Sequence, residues 1–130
     1  MNRIDQISAN VIDQAIRIHR ELGPGLFENI YEVVLAGRLE RLGYSIARQV
    51  PIGLEFEGQA FDLAFRIDIL VEDCLILEIK AVEQMSKAHA RQLLTYLRLT
   101  KQPVGLLLNF SGATTKEGIR RMVNDYRPEE

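Results

Sequence analysis

Apolar residues at Ile4, Ile7, Val11, Ala15, Ile18 and Leu22 recur at steps of three and four, which predicts a helix with one buried stripe. Gly23, Pro24 and Gly25 break it. A second helix is expected over about 26–42, stopping at Gly43, with a stripe through Tyr31, Leu35, Leu39 and Leu42. The pattern then shifts toward strands, at 44–50 and 52–57 around Pro51 and Gly53, with a turn at Glu57, Gly58 and Gln59. Two strongly apolar runs, 61–71 and 75–81, flank an acidic turn and read as a hairpin. Ser86 is placed to cap a helix over 87–100, whose stripe is Ala90, Leu93, Leu94 and Leu97. The run 103–110 is continuously apolar, as expected of a strand buried on both faces. Residues 111–115 read as a loop, 116–126 fit a last helix or an edge strand, and Pro128, Glu129 and Glu130 form a tail. This order predicts one α/β (α+β) domain over residues 1–130: a central mixed sheet flanked by helices, with the hairpin at its centre.

The hairpin carries charge where buried strands carry none. Side chains alternate between faces of a strand. Ile67, Ile69 and Val71 then share one face, and Arg66, Asp68 and Leu70 the other; Leu75, Leu77 and Ile79 lie opposite Ile76, Glu78 and Lys80. A two-residue turn at Glu72 and Asp73 would put the apolar faces on opposite sides, because a one-residue slip flips every side chain. A three-residue loop, Glu72, Asp73 and Cys74, restores the match and sets Asp68 against Glu78 and Arg66 against Lys80. Directly opposed side chains have Cβ atoms roughly 5 Å apart. Two carboxylates that close repel, and a divalent cation between them removes the conflict.

Composition changes this picture little. Apolar residues at 47% and charged residues at 26% are ordinary for a soluble domain. No apolar run nears the roughly 18 residues of a membrane span, and no secretory signal is visible. A single cysteine, Cys74, excludes an internal disulfide and fits the reducing cytoplasm. With two histidines besides, a structural zinc site is not expected. Charge is more informative by position: residues 1–83 hold eight Lys/Arg and fourteen Asp/Glu, or −6, and residues 84–130 eight and four, or +4. A basic last third beside an acidic centre suits a polyanion held against metal-binding carboxylates; it also fits a solvated basic surface.

Asp68 and Glu78 are hard oxygen donors of the kind magnesium or manganese prefers, and Ile79 offers a main-chain carbonyl between Glu78 and Lys80. Glu28, one turn before Tyr31, can add a third carboxylate from the helix side; equally, an acidic residue in a first turn complements the helix dipole. Lys80 leaves the strand on the Glu78 face, where it can act on a water or on a charged transition state. Gln92 and Tyr96, four apart on one helix, can hold a phosphate or orient Lys80, with Lys87, Arg91, Arg98 and Lys101 around them. The competing reading is two cross-strand ion pairs, Arg66 with Glu78 and Asp68 with Lys80, on a solvated face.

In type and order, Glu28, Asp68, Glu78-Ile79-Lys80 and the Gln92/Tyr96 pair resemble the PD-(D/E)XK nuclease superfamily with its restriction-endonuclease-like αβββαβ core. The Gln-x-x-x-Tyr element is similar to the RecB-like branch. Gly25, Glu28 and Tyr31, the segments after Asp68 and Glu78, and residues 104–110 resemble the GxxExxY family, over about residues 8–124. The resemblance implies Mg²⁺-dependent phosphodiester hydrolysis, with Mn²⁺ as a substitute, on DNA or RNA. It implies Asp68 and Glu78 as metal ligands, Lys80 as the catalytic lysine, Glu28 as the helix carboxylate, and Gln92 and Tyr96 as supporting residues. Lys87, Arg91, Arg98 and Lys101 are the expected nucleic-acid contacts. Ile67 stands where the superfamily's nominal proline precedes the aspartate, a position that does not touch the metal. A catalytically silent nucleic-acid-binding or regulatory module on the same fold, and a dimerising structural protein, are the other two functions compatible with these residues; small nuclease domains often form homodimers.

Overall fold

In the computed structural model, which describes residues 2–112 and 116–126, the sheet is built outward from two central strands. The expected tail at Pro128, Glu129 and Glu130, and positions 113–115 of the expected loop, lie outside the described residues. The elements run α1 (Arg3–Leu22), α2 (Glu28–Arg41), β1 (Ile46–Phe56), β2 (Gln59–Val71), β3 (Leu75–Lys80), α3 (Lys87–Thr100), β4 (Val104–Asn109), a 3₁₀ turn (Lys116–Gly118) and β5 (Ile119–Val123). The five strands lie in sequence order, with β3 and β4 parallel and every other pair antiparallel. The fold is α+β with a mixed sheet, as expected, and α3 makes the crossover that a parallel pair requires. β4 is buried at every position, which accounts for its unbroken apolar run.

Helices cover both faces. α1 and α2 bury Ile7, Val11, Ala15, Ile18, Tyr31, Leu35 and Leu39 against one side of β2, β3 and β4, and Leu93 and Leu97 of α3 pack on the other side with Ile76 and Leu107. Leu22 and Leu42, expected at the ends of the first two stripes, are exposed: Leu22 is the last residue of α1, and Leu42 follows the end of α2. α2 begins two residues later than its apolar pattern suggested. Tyr31 Oη donates to Gly23 O at 2.6 Å and accepts from Leu26 N–H at 3.1 Å, and this holds the preceding loop in place. No helix among the described residues is long and apolar enough to cross a membrane.

Three strand expectations change. The two segments around Pro51 form a single strand, β1, because β1 is the sheet edge, where a missing N–H is tolerated. Its register shifts between Ile52 and Leu54, and Gly53 is required there, since a Cβ would stand 2.8 Å from Phe61 O. The segment 116–126 resolves into the 3₁₀ turn and the edge strand β5. Finally, strict alternation along β2 fails. Phe65 and Ile67 pack on the α3 side and Ile69 and Val71 on the α1/α2 side, although all four are odd-numbered. On β1, Ile46 and Val50 divide the same way. The paired strands therefore turn over together between these residues, at Gln49 and Asp68.

Candidate active site

The hairpin has the three-residue loop that face parity demands: Val71 pairs with Leu75, Leu70 with Ile76 and Ile69 with Leu77. Glu72 and Asp73 take left-handed conformations (φ 52° and 55°) to close it. The ladder stops at Ile69 and Leu77, one step short of Asp68 and Glu78. In that gap the carboxylates replace backbone pairing. Ile79 N–H donates to Asp68 Oδ2 at 2.8 Å, and Asp68 N–H points at Glu78 Oε1 at 3.4 Å, a long contact. Lys80 O accepts from Phe110 N–H on the β4 side. Within a strand the N–H and C=O of one residue share a side, so the Ile79 carbonyl faces the Asp68 gap.

Glu78 is only 5% exposed. Burial raises its pKa to about 8, with a further contribution from the charge of Asp68; the Asp68 N–H and the charge of Lys80 oppose this only in part. Apo Glu78 is therefore mostly protonated at neutral pH. Two carboxylates and a carbonyl around one gap suit a hard divalent cation, which would displace that proton on binding. Among the described residues, no three His, Cys, Asp or Glu side chains gather as a metal site. Glu28, expected as a third carboxylate and on the core-facing side of α2, is exposed, and its Oε2 accepts from Ala81 N–H at 3.1 Å. It faces the exit of β3 rather than the Asp68–Glu78 pair.

Neither cross-strand ion pair, Arg66 with Glu78 or Asp68 with Lys80, forms among the described residues. Lys80 Nζ donates instead to Gln92 Oε1 at 3.2 Å. Tyr96, also on α3, stacks flat on Phe65 with ring centroids 3.9 Å apart. Burial, then the charges of Glu78 and Asp68, push the Tyr96 pKa up, so the phenol keeps its proton. Lys87, Arg91, Arg98 and Lys101 are exposed. They do not surround Gln92 and Tyr96. At roughly 100° per residue, Lys87, Arg91 and Arg98 form one line about 100–180° around α3 from that pair.

Sequence reasoning missed several groups next to this site. Glu32, 4% exposed, accepts from Arg48 Nε at 3.0 Å and Nη2 at 2.7 Å on one oxygen and from Gln49 Nε2 at 2.8 Å on the other. Gln49 Nε2 also donates to Asp68 Oδ1 at 3.3 Å. Asn109, buried in β4, bonds both the N–H and the carbonyl of Val82 and fixes the chain just beyond Lys80. The available signal for Glu32 was a carboxylate beside Tyr31 on a helix that packs against the sheet.

In a comparison with known protein families the chain matches a model described as the PD-(D/E)XK nuclease superfamily, over residues 5–122. No curated protein and no solved structure matches the chain.

Proposed function

The chain belongs to the PD-(D/E)XK nuclease superfamily, and on that footing we propose that it hydrolyses phosphodiester bonds of nucleic acid, DNA in preference to RNA, with Mg²⁺ or in its place Mn²⁺. The observation that carries this reading is the break in the β2–β3 ladder, which turns Asp68, Glu78 and the Ile79 carbonyl to one gap with Lys80 on the Glu78 strand. Asp68, Glu78 and that carbonyl would hold the cation. When bound, the cation supplies charge neutralisation at the scissile phosphate and a more acidic water.

The remaining work falls to the chain. Lys80 Nζ has one hydrogen engaged by Gln92 Oε1 and two left for the attacking water or the phosphoryl oxygen that gains charge. Gln92 holds that ammonium group beside the carboxylates. Tyr96, kept as a phenol, remains a hydrogen-bond donor for a phosphate oxygen. Glu28, through Ala81, and Asn109, through Val82, fix the strand exit and with it the position of Lys80. Lys87, Arg91 and Arg98 offer an exposed cationic line on α3, with Lys101 exposed at its C-terminal cap, for the backbone of the polymer away from the cut.

We assign the chain to the GxxExxY family, supported by the structural use of that motif: Gly25 at φ +106°, Tyr31 bracing the loop, and Glu28 bonded to Ala81 just past β3. We place the protein in the cytoplasm. Exposed Phe56, Phe61 and Leu63 on the β1–β2 ribbon support self-association as a homodimer. The test is purified protein on single-stranded, double-stranded and branched DNA and on RNA, in Mg²⁺, Mn²⁺ or EDTA. Cleavage of at least one polymer is expected with metal and none in EDTA; equal cleavage in EDTA overturns the proposal.

A further inference from the structure

Gln49 is the one residue of β1 that adopts a left-handed backbone (φ 52°), a conformation that side chains other than glycine, asparagine and aspartate seldom take within a strand. It stands opposite Asp68, where β1–β2 pairing is interrupted and both strands turn over. Strain of this kind persists where the surroundings enforce it, and it clusters at functional sites.

The neighbours supply the enforcement. Arg48 engages one oxygen of the buried Glu32 with two nitrogens, leaving the other oxygen to Gln49. An amide oxygen turned toward two carboxylates would be repelled, so the chemistry fixes the amide with its nitrogen toward Glu32 and Asp68. Its two hydrogens are then both used, at 2.8 Å to Glu32 Oε1 and 3.3 Å to Asp68 Oδ1. Because Asp68 Oδ2 already accepts from Ile79 N–H, both oxygens of Asp68 are held, Oδ1 by Gln49 and Oδ2 by the main chain of β3. The carboxylate can no longer rotate freely about its Cβ–Cγ bond.

We infer that Gln49 is a positioning residue: held by Glu32 and Arg48, it fixes the plane of Asp68 for a divalent cation. The inference rests on the metal site proposed above. Groups that orient a metal ligand typically contribute about 10–100-fold to affinity.

The test is Gln49→Gly in the full chain, by calorimetric titration with Mn²⁺ and by melting in EDTA. Glycine accepts φ +52° at no steric cost and water can replace the exposed amide, so melting in EDTA should stay within about 3 °C of wild type. Mn²⁺ affinity should fall about tenfold or more. A smaller loss of affinity beside a wild type that binds Mn²⁺ overturns the inference and leaves the metal site standing. A large drop in EDTA melting overturns it too, assigning Gln49 to the fold alone. A wild type that binds no Mn²⁺ removes both readings.

Discussion

Lys80→Ala should lower Mg²⁺-dependent cleavage by about 10²–10³-fold, the range for loss of one group stabilising charge in a transition state. Its melting temperature should scarcely change. The Lys80 ammonium has one hydrogen-bond partner, Gln92, whose side chain is exposed and can turn to water. No ion pair with Asp68 or Glu78 forms, so no carboxylate loses a salt bridge. Lys80 is half-buried at the end of β3, and polar truncations outside the core usually fall within about 0.5 kcal/mol. Mg²⁺ affinity should also persist, because Lys80 is not a ligand. A set of cleavage rates and melting curves on the two proteins separates the effects. Equal cleavage by both would trace the activity to a contaminating nuclease, and joint loss of activity and stability would make Lys80 a structural residue.

Glu78→Gln should raise the stability of the metal-free protein. Folded apo protein holds a proton on Glu78 up to about pH 8, whereas the unfolded chain releases it near the ordinary carboxylate value of 4.5. Between those limits the folded state binds more protons, so stability falls as pH rises. The slope is about 1.4 kcal/mol per pH unit for one such proton. Below pH 4.5 the penalty vanishes, and above about 8 it is complete. Glutamine has no proton to lose. The variant should therefore show a flatter profile in EDTA and exceed wild type by on the order of a few kcal/mol at pH 8 and above. It should also lose metal binding and cleavage. Urea unfolding in EDTA from pH 5 to 9 reads the effect directly, and parallel profiles for the two proteins would refute it. A residue whose removal stabilises the empty protein and abolishes its activity is one kept for chemistry.

Much of this site is legible in residues 66–80 alone. Face parity demands a three-residue loop, which the register of Ile69 with Leu77 bears out, and Asp68 then meets Glu78 and Ile79 through side-chain contacts beyond the end of that ladder. Lys80 and Gln92 are legible as types at a spacing, but their contact joins a strand to a helix across the crossover. Gln49 and Glu32 are a different case. Burial periodicity reports which positions face a core, not which polar groups meet beyond the edge of one. A glutamate on α2 and an Arg-Gln pair in an edge strand look like solvated surface until the ribbon turns over and folds them onto Asp68. That turn also explains why Ile67 and Ile69, two apart, serve different cores. The single strand through Pro51 was hidden for a related reason: proline is tolerated by position in the sheet, which no local pattern specifies.

The metal site can be tested without knowing the substrate. Wild type and Asp68→Asn are melted at neutral pH in EDTA and at Mg²⁺ far above the dissociation constant. A cation bound only by folded protein stabilises by about 2.7 kcal/mol at a hundredfold excess over that constant. For a domain of this size that raises melting by roughly 5–10 °C. Wild type should show this rise, and Asp68→Asn, with one ligand neutralised, should show none. Identical melting of wild type with and without Mg²⁺ would contradict the account and return Asp68 and Glu78 to a purely structural role.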